Sequence, residues 1–220
     1  MIIEFYGLPG SGKTTIARAI AECANDRSVT YLHTSPRGEI IRYFPVFFAR
    51  NPVCTFFWLK EIVKECMRFH FRALFRYKLH LFFISVVQYQ KAYSKKNDIS
   101  LIDEGLYQRI LSLYESQMRK QEIERCIQHI PKPDVLVITS NKETEFYRFL
   151  RSPHRHESPR LRLGQKYFEN WMDIIRKNDV AVREAVRSLG TPVIFCDGAK
   201  GIENCVSKIY EVINDNSKNR

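Results

Sequence analysis

The stretch FYGLPGSGKTT, residues 5–15, decides the fold of this chain of 220 residues. It begins inside MIIEFY, an apolar segment ended by a glycine, as is typical of a short buried strand. Residues 7–14 fit the pattern GxxxxGK(S/T), in which glycines leave backbone N–H groups free to wrap a phosphate. The helical spacing of KTTIARAIAECAND then points the positive end of a helix at the same anion. This order of elements predicts an α/β fold that binds a nucleotide.

The loop residues have separate predicted roles in binding ATP and Mg²⁺, which are the two predicted cofactors. Lys13 would reach the β and γ phosphates and take part in catalysis, and the Thr14 hydroxyl would bind the metal ion. The other predicted nucleotide-binding positions in this stretch are Gly7, Pro9, Gly10, Ser11, Gly12 and Thr15.

Strands and helices alternate along the rest of the chain. Four further strands are predicted: SVTYLHT (28–34), ISLIDEG (99–105), PKPDVLVITS (131–140) and TPVIFCDG (191–198). Residues 53–93 have the spacing of one long helix or two broken ones. The alternation predicts a single three-layer α/β domain over residues 1–220, with five parallel strands. Within it we expect a helical acceptor-binding region at 36–96 and a lid at 148–163.

Asp103 and Glu104 directly follow the third predicted strand, at the sheet edge where parallel α/β folds bind ligands. Asp103 would bind Mg²⁺ through water or accept a proton from the acceptor, and Glu104 would act as a base or orient the attacking group. The alternative is that both acidic residues cap the next helix. Arg109, about one turn inside that helix, would contact an acceptor anion or lie at the surface.

Five arginines fall between positions 148 and 162 in a segment with two prolines, which predicts a mobile basic loop; they are Arg148, Arg151, Arg155, Arg160 and Arg162. Arginines folded over a migrating phosphoryl group stabilise its charge, and a closing loop excludes water. We therefore predict Arg151 and Arg155 as catalytic residues and Arg148 as a nucleotide-binding residue. A solvated basic loop is the alternative.

These motifs together resemble those of the thymidylate kinase-like nucleotide kinases of the P-loop class, over most of the chain. Besides the glycine loop, the resemblance lies in PKPDVLVITSNKETEFYRFLRS (131–152) and VIFCDGAKGIENCVSKIYEVI (193–213). It implies that the loop with Asp197, Ala199 and Lys200 lies near the adenine. It also implies that Arg37 holds a phosphate of the acceptor.

The chain departs from this family in its acceptor region. The family's Asp-Arg pair after the third strand is replaced by Asp103-Glu104. The resemblance therefore describes how the donor is bound and leaves the acceptor open. Arg42 and Arg109 join Arg37 as predicted substrate-binding residues.

The net charge of +11 favours an anionic partner, and most of it lies at 36–96, where 12 Lys or Arg face 3 Asp or Glu. Basic residues recur there every fourth position, in a slowly winding ridge: Lys60, Lys64, Arg68, Arg72 and Arg76. Phenylalanines are interleaved with them. The ridge would bind a phosphorylated acceptor, nucleic acid or a membrane surface, or form the solvated side of a core helix. The aromatic residues would belong to the core or to a homodimer interface.

We expect an ATP- and Mg²⁺-dependent phosphotransferase acting on a small acceptor, with a nucleoside monophosphate first and a sugar phosphate or other metabolite second. A nucleic-acid-directed ATPase or polynucleotide kinase and a nucleotide-dependent switch are the alternatives. Six cysteines without CxxC spacing indicate reduced core thiols. The start has no basic leader and no apolar stretch reaches the ~20 residues of a membrane span, so we expect a cytoplasmic protein without a transmembrane segment.

Overall fold

Five parallel strands form one sheet: β1 (Ile2–Tyr6), β2 (Val29–Leu32), β3 (Ile99–Ile102), β4 (Val135–Ser140) and β5 (Val193–Asp197). Their order across the sheet is β2-β3-β1-β4-β5. The computed structural model describes residues 1–24, 29–32, 37–69, 71–95, 98–140, 159–188, 190 and 192–218, with backbone only at 37, 71–73 and 216–218.

Nine α-helices lie in the described part of the chain. They are α1 (Lys13–Cys23), α2 (Arg37–Arg50), α3 (Pro52–Arg68), α4 (Phe71–Ser94), α5 (Leu106–Leu113), α6 (Lys120–Gln128), α7 (Pro159–Arg162), α8 (Gln165–Ser188) and α9 (Ile202–Lys218). A short 3₁₀ turn, Gly198–Lys200, follows β5.

Alternation of side chains along the strands produces two cores, one on each face of the sheet. On β1, Ile3 and Phe5 face α1 and α9, where they pack with residues such as Ile20. Tyr6 faces the opposite side and belongs to a larger core that includes Trp58. Helices thus cover both faces of the sheet, and the predicted α/β fold with a five-stranded parallel sheet is confirmed.

The strand register brings the sequence motifs to one edge of the sheet. Glu4 of β1 pairs with Ile102, the last residue of β3. Since all strands are parallel, the glycine loop after β1 and Asp103 after β3 leave the sheet side by side, at its carboxyl edge. Asp197 ends β5 at the same edge, next to Ser140 of β4.

The helical region follows one of its predicted alternatives and contains one helix that is not predicted separately. Of the two alternatives for 53–93, one long helix or two broken ones, the structure has two helices, α3 and α4, because Phe69 leaves the helical conformation with φ −121° and ψ −127°. The basic ridge is therefore split between two helices and is not continuous. Helix α2 lies in the region 36–96 that is predicted to be helical, but no separate helix is predicted there, since Pro45 inside it masks the helical pattern. Packing of the buried Phe47 supports it instead.

Two further expectations concern cysteines and membranes. Five of the six cysteines are buried, as expected of core thiols, whereas Cys23 at the end of α1 is exposed. Within the described ranges, none of the helices combines the length and the apolar composition needed to span a bilayer.

Candidate active site

The glycine loop turns sharply between β1 and α1. The Ser11 N–H donates to the carbonyl of Leu8 over 3.1 Å. Gly10 and Gly12 have φ values of 85° and 86°, which side chains with a Cβ rarely adopt. These two glycines let the backbone curl around an open cradle and start α1 at Lys13. The helix therefore begins directly beneath the space where a phosphate would bind.

Gly7 is fixed by close contact with the neighbouring strand and helix. A Cβ at this position would come within 2.5 Å of the Thr139 carbonyl oxygen and 2.7 Å of Ser11 Oγ. The Gly7 N–H donates to Oε1 of Gln108 over 3.0 Å. The hydroxyls of Ser11 and Thr139 lie 2.6 Å apart. Strand β4 and helix α5 thus hold the loop from both sides.

Lys13 is only 7% exposed and bends back over its own loop. Its Nζ donates to the carbonyls of Gly7 and Leu8 over 2.8 and 3.0 Å. The ammonium group therefore lies within the predicted phosphate cradle. Pro9 at the loop tip is partly exposed, while Gly10 and Thr15 are exposed.

The Asp103 carboxylate accepts hydrogen bonds from two hydroxyl groups. Thr14 Oγ1 and Tyr31 OH donate to its Oδ2 over 3.0 and 2.7 Å. Burial raises the pKa of Tyr31 above its usual value, and the Asp103 carboxylate raises it further. The phenol therefore stays protonated and can donate. A carboxylate beside a threonine hydroxyl is a set of hard oxygen donors, which Mg²⁺ prefers. The residues present therefore fit the predicted metal ion.

Glu104 and Arg109 form an ion pair at the same edge. Arg109 Nη2 lies 3.0 Å from Glu104 Oε2, and its Nε donates to Ser85 Oγ over 3.1 Å. The Arg109 side chain is 7% exposed, whereas that of Glu104 is 49% exposed. Arg109 is therefore buried rather than a surface residue. The Glu104 carboxylate is open to solvent beside it.

A different glutamate caps α5. Glu4 Oε1 accepts hydrogen bonds from the N–H groups of Tyr107 and Gln108 over 2.7 and 3.3 Å, and Tyr89 OH donates to Oε2. Glu4 therefore caps these two N–H groups at the start of α5, a role that the sequence offers to Asp103 and Glu104. Burial raises the pKa of Glu4 to about 7, against the opposing effect of its hydrogen bonds.

A cavity adjoins Arg109 between α3, α4 and α5. It has room for about one water molecule. The residues that line it are Trp58, Ile62, Lys78, Leu81, Phe82, Arg109, Ser112 and Leu113. The rings of Trp58 and Phe82 stack at 14°, with centroids 5.8 Å apart. The buried Trp58 Nε1 has no hydrogen-bond partner among the described residues. The cavity therefore offers an aromatic wall and an unused donor.

A buried ion cluster adjoins this cavity through Lys78, which lines it. Glu115 lies 2.9 Å from Nζ of Lys78 and accepts from Nε of Arg160 through both oxygens, over 3.1 and 3.0 Å. Burial alone would raise the pKa of Glu115, but the two cations outweigh it and hold the pKa below its usual value. Arg160 is fully buried, and its guanidinium carbon Cζ lies 3.9 Å from the centre of the Trp171 ring.

The predicted lid over 148–163 is wrong in its last residues. Residues 159–162 form α7 rather than a loop, and the bonds of Arg160 to Glu115 leave it unable to cover a phosphoryl group. Arg162 is exposed. The predicted lid residues Arg148, Arg151 and Arg155 lie outside the described residues.

The remaining predicted residues have different positions. Arg37 is the first residue of α2, and its side chain lies outside the described part. Arg42 is exposed, with its guanidinium 5.3 Å from the ring of Tyr43. Asp197 Oδ1 accepts from the Ala199 N–H over 3.0 Å, which shapes the turn that carries the exposed Lys200.

Several site residues carry no sequence motif: Tyr31, Ser85, Gln108, Thr139 and the cavity residues Trp58 and Lys78. Their partners lie far away in sequence, and each residue type is common. Glu4 is different, because a single acid inside the apolar run MIIEFY is unusual and indicates a buried polar role.

Comparison with solved structures finds this fold in deoxyadenosine kinase from M. mycoides. In the structure with the products dCMP and dCDP, the kinase is 14% identical in sequence to this chain, and the TM-score is 0.52. The match covers 98% of this chain and 100% of the kinase chain. The structures with dATP (13% identity, 97% and 100% coverage) and dCTP (14%, 98% and 100%) have TM-scores of 0.48 and 0.44. Neither the family models nor the curated proteins match the sequence. The likeness is one of fold, and the resemblance to the thymidylate kinase-like group stays a prediction.

Proposed function

We propose that this protein is a P-loop kinase that transfers the γ-phosphoryl group of ATP to a nucleoside monophosphate or a nucleoside. One observation carries the proposal. The Thr14–Asp103 contact belongs to the candidate donor site, and the next residue, Glu104, pairs with Arg109, which lines the cavity. Donor and acceptor sites would thus meet at two consecutive residues, as direct transfer between bound substrates requires.

On the donor side, loop N–H groups, the start of α1 and Lys13 would bind the phosphates of ATP. Thr14 and Asp103 would hold Mg²⁺, which supplies charge neutralisation at the β and γ phosphates. The turn at Asp197 and Lys200 would lie near the adenine. Arg148, Arg151 and Arg155 would cover the transferred phosphoryl group.

On the acceptor side, the cavity would have to widen to admit a substrate, and the chemistry of its lining favours a nucleobase. The stacked rings of Trp58 and Phe82 offer an apolar wall for a planar ring. The Trp58 N–H and the Arg109 guanidinium are donors that would meet the ring's nitrogen or oxygen acceptors. A deoxyadenosine kinase whose structure holds dCMP and dCDP shares the fold, and this likeness also supports an acceptor with a nucleobase.

Glu104 is the candidate base for the acceptor hydroxyl. Its carboxylate is half exposed, so a substrate can reach it, and Arg109 fixes its orientation. Asp103, occupied by two hydroxyl donors, is better placed for the metal ion.

The test is acceptor-dependent ADP formation from ATP and Mg²⁺, with a panel of nucleoside monophosphates, nucleosides and sugar phosphates. We expect ADP release only with acceptors that carry a nucleobase. Lys13→Ala should abolish turnover, whereas Trp58→Ala should raise the KM for the acceptor far more than the KM for ATP.

Other outcomes identify the alternatives. ADP release without any acceptor would indicate a nucleotide-dependent switch. Stimulation by a polynucleotide alone, lost steeply as salt is added, would indicate a nucleic-acid-directed enzyme. Activity with sugar phosphates alone would contradict the assignment of the cavity to a nucleobase.

A further inference from the structure

Helices α2 and α3 form a hairpin whose outer surface is unusually apolar. Ten large hydrophobic side chains are exposed in the described part of the chain, and seven of them lie on these two helices: Ile41, Val46, Phe48, Val53, Phe56, Val63 and Met67. Phe56 is 63% and Met67 is 71% exposed. Apolar side chains concentrated on one element of a folded protein mark an interaction surface.

Six of the seven apolar residues lie together, whereas Val46 lies on α2 about 140–160° around the helix from Ile41 and Phe48. On α3, positions 53, 56, 60, 63 and 67 fall within an arc of about 80° around the helix. Asn51 alone separates the two helices. The rings of Phe48 and Phe56 are in contact, with centroids 5.4 Å apart, and so join the α2 and α3 surfaces across the turn.

The charge around the patch has a single sign. Arg42 and Lys60 are exposed on these helices. Arg50 and Arg68 are exposed too, but the Arg50 guanidinium lies 4.0 Å from the centre of the Tyr93 ring and Arg68 pairs with Glu65 over 3.4 Å. The acidic residues of the hairpin are either buried or paired. Glu61 and Glu65 are buried, and Glu39 Oε2 lies 2.7 Å from Nζ of Lys91. Among the exposed positions that the structure describes on α2 and α3, none is acidic. The surface therefore combines exposed apolar groups with cations only.

We propose that the outer face of the α2–α3 hairpin binds the surface of a membrane that contains anionic lipids. Phe48, Phe56 and Met67 would enter the boundary between head groups and acyl chains, while the basic residues contact lipid phosphates. Their long side chains reach the head groups without leaving water. The binding is peripheral and does not depend on the proposed kinase activity.

Charge complementarity favours this occupant over a second copy of the chain. A twofold dimer brings the same patch of each subunit together. Arg42, Arg50, Lys60 and Arg68 would then face one another without an exposed acid on either hairpin. An anionic lipid surface instead complements both properties of the patch.

The experiment is co-sedimentation of the full chain with vesicles of phosphatidylcholine alone or of phosphatidylcholine with phosphatidylglycerol. We expect binding to the anionic vesicles only, weakened by added salt. The double variant Phe56→Ser, Met67→Ser should bind about tenfold more weakly, because each removes an apolar group from the membrane boundary. Lys60→Glu should also weaken binding.

Matched controls come from α8, which has an exposed lysine and an exposed valine close together. Lys177→Glu and Val180→Ser make the same types of change and should leave vesicle binding unaltered. All of these side chains are exposed, and circular dichroism checks that each variant folds.

Three results would overturn the proposal. Equal binding to neutral and anionic vesicles, or binding to neither, contradicts the charge argument. Equal weakening by the α8 controls removes the role of the hairpin. A dimer that dissociates in the Phe56→Ser, Met67→Ser variant, without vesicle binding by the original protein, assigns the face to a second copy.

Discussion

Thr14 at the start of α1 and Asp103 after β3 are 89 residues apart in sequence, yet the threonine hydroxyl donates to the carboxylate over 3.0 Å. Neither residue needs a long side chain for this contact, because the parallel register of β1 and β3 sets their loops side by side. The pair is therefore fixed by the sheet and is ready before any ligand binds, which reduces the conformational entropy lost on binding.

Asp103→Asn tests this pair, since it removes the charge while preserving the shape and the acceptor oxygen. We expect kcat to fall about 10²-fold and the Mg²⁺ concentration for half-maximal rate to rise. Initial rates over a Mg²⁺ titration measure both effects. Asp173→Asn, at an exposed position of α8, is the control and should change neither. An unaltered Mg²⁺ requirement in Asp103→Asn would remove Asp103 from the metal site.

Gly7→Ala should damage the loop through contact with backbone atoms. The new Cβ would lie 2.5 Å from the Thr139 carbonyl oxygen, so the loop must move away from β4. We expect weaker nucleotide binding, measured by calorimetry, and a free energy of unfolding lower by about 1–3 kcal/mol. Gly38→Ala meets no atom within 4 Å and should leave both unchanged or raise stability slightly. Equal behaviour of the two variants would contradict the close approach at Gly7.

The sequence predicts the parts of the molecule that depend on local rules. Buried strands appear as apolar runs, and the loop at 7–14 is recognisable because its backbone needs glycine at particular positions. Strand alternation with helices then predicts a parallel sheet, which places Asp103 at the same edge as the loop. The order of the strands, which sets β3 next to β1, depends on the whole fold and comes from the structure.

The parts that escape prediction depend on contacts between distant residues. Gln108 binds the Gly7 N–H across 101 positions, and Tyr31 binds Asp103 across 72. Arg160 and Arg162 look alike in sequence, yet one is buried in an ion cluster and the other is exposed. Only the packing of α7 against Glu115 distinguishes them, and no local pattern encodes that packing.

Arg160→Met and Arg162→Met test this distinction. Removing Arg160 leaves the buried Glu115 with Lys78 as its remaining cation, and breaking a buried pair of this type costs about 3–5 kcal/mol. Arg162→Met should change stability by less than about 0.5 kcal/mol. Urea unfolding measures both. If Arg160→Met is as stable as the original protein but inactive, Arg160 acts on substrate and the structural role is wrong.

Glu4→Gln tests the buried cap of α5 through the dependence of stability on pH. Burial raises the pKa of Glu4 to about 7 from its usual 4.5, so the folded state holds this proton more tightly than the unfolded state. The free energy of unfolding should therefore fall as the pH rises from about 4.5 to 7, by up to about 3 kcal/mol, and level off above. Glutamine keeps an oxygen for the Tyr107 and Gln108 N–H groups but does not titrate. Urea unfolding at a series of pH values should show a difference between the two proteins that shrinks or reverses across this range, whereas parallel curves would mean that Glu4 keeps an ordinary pKa.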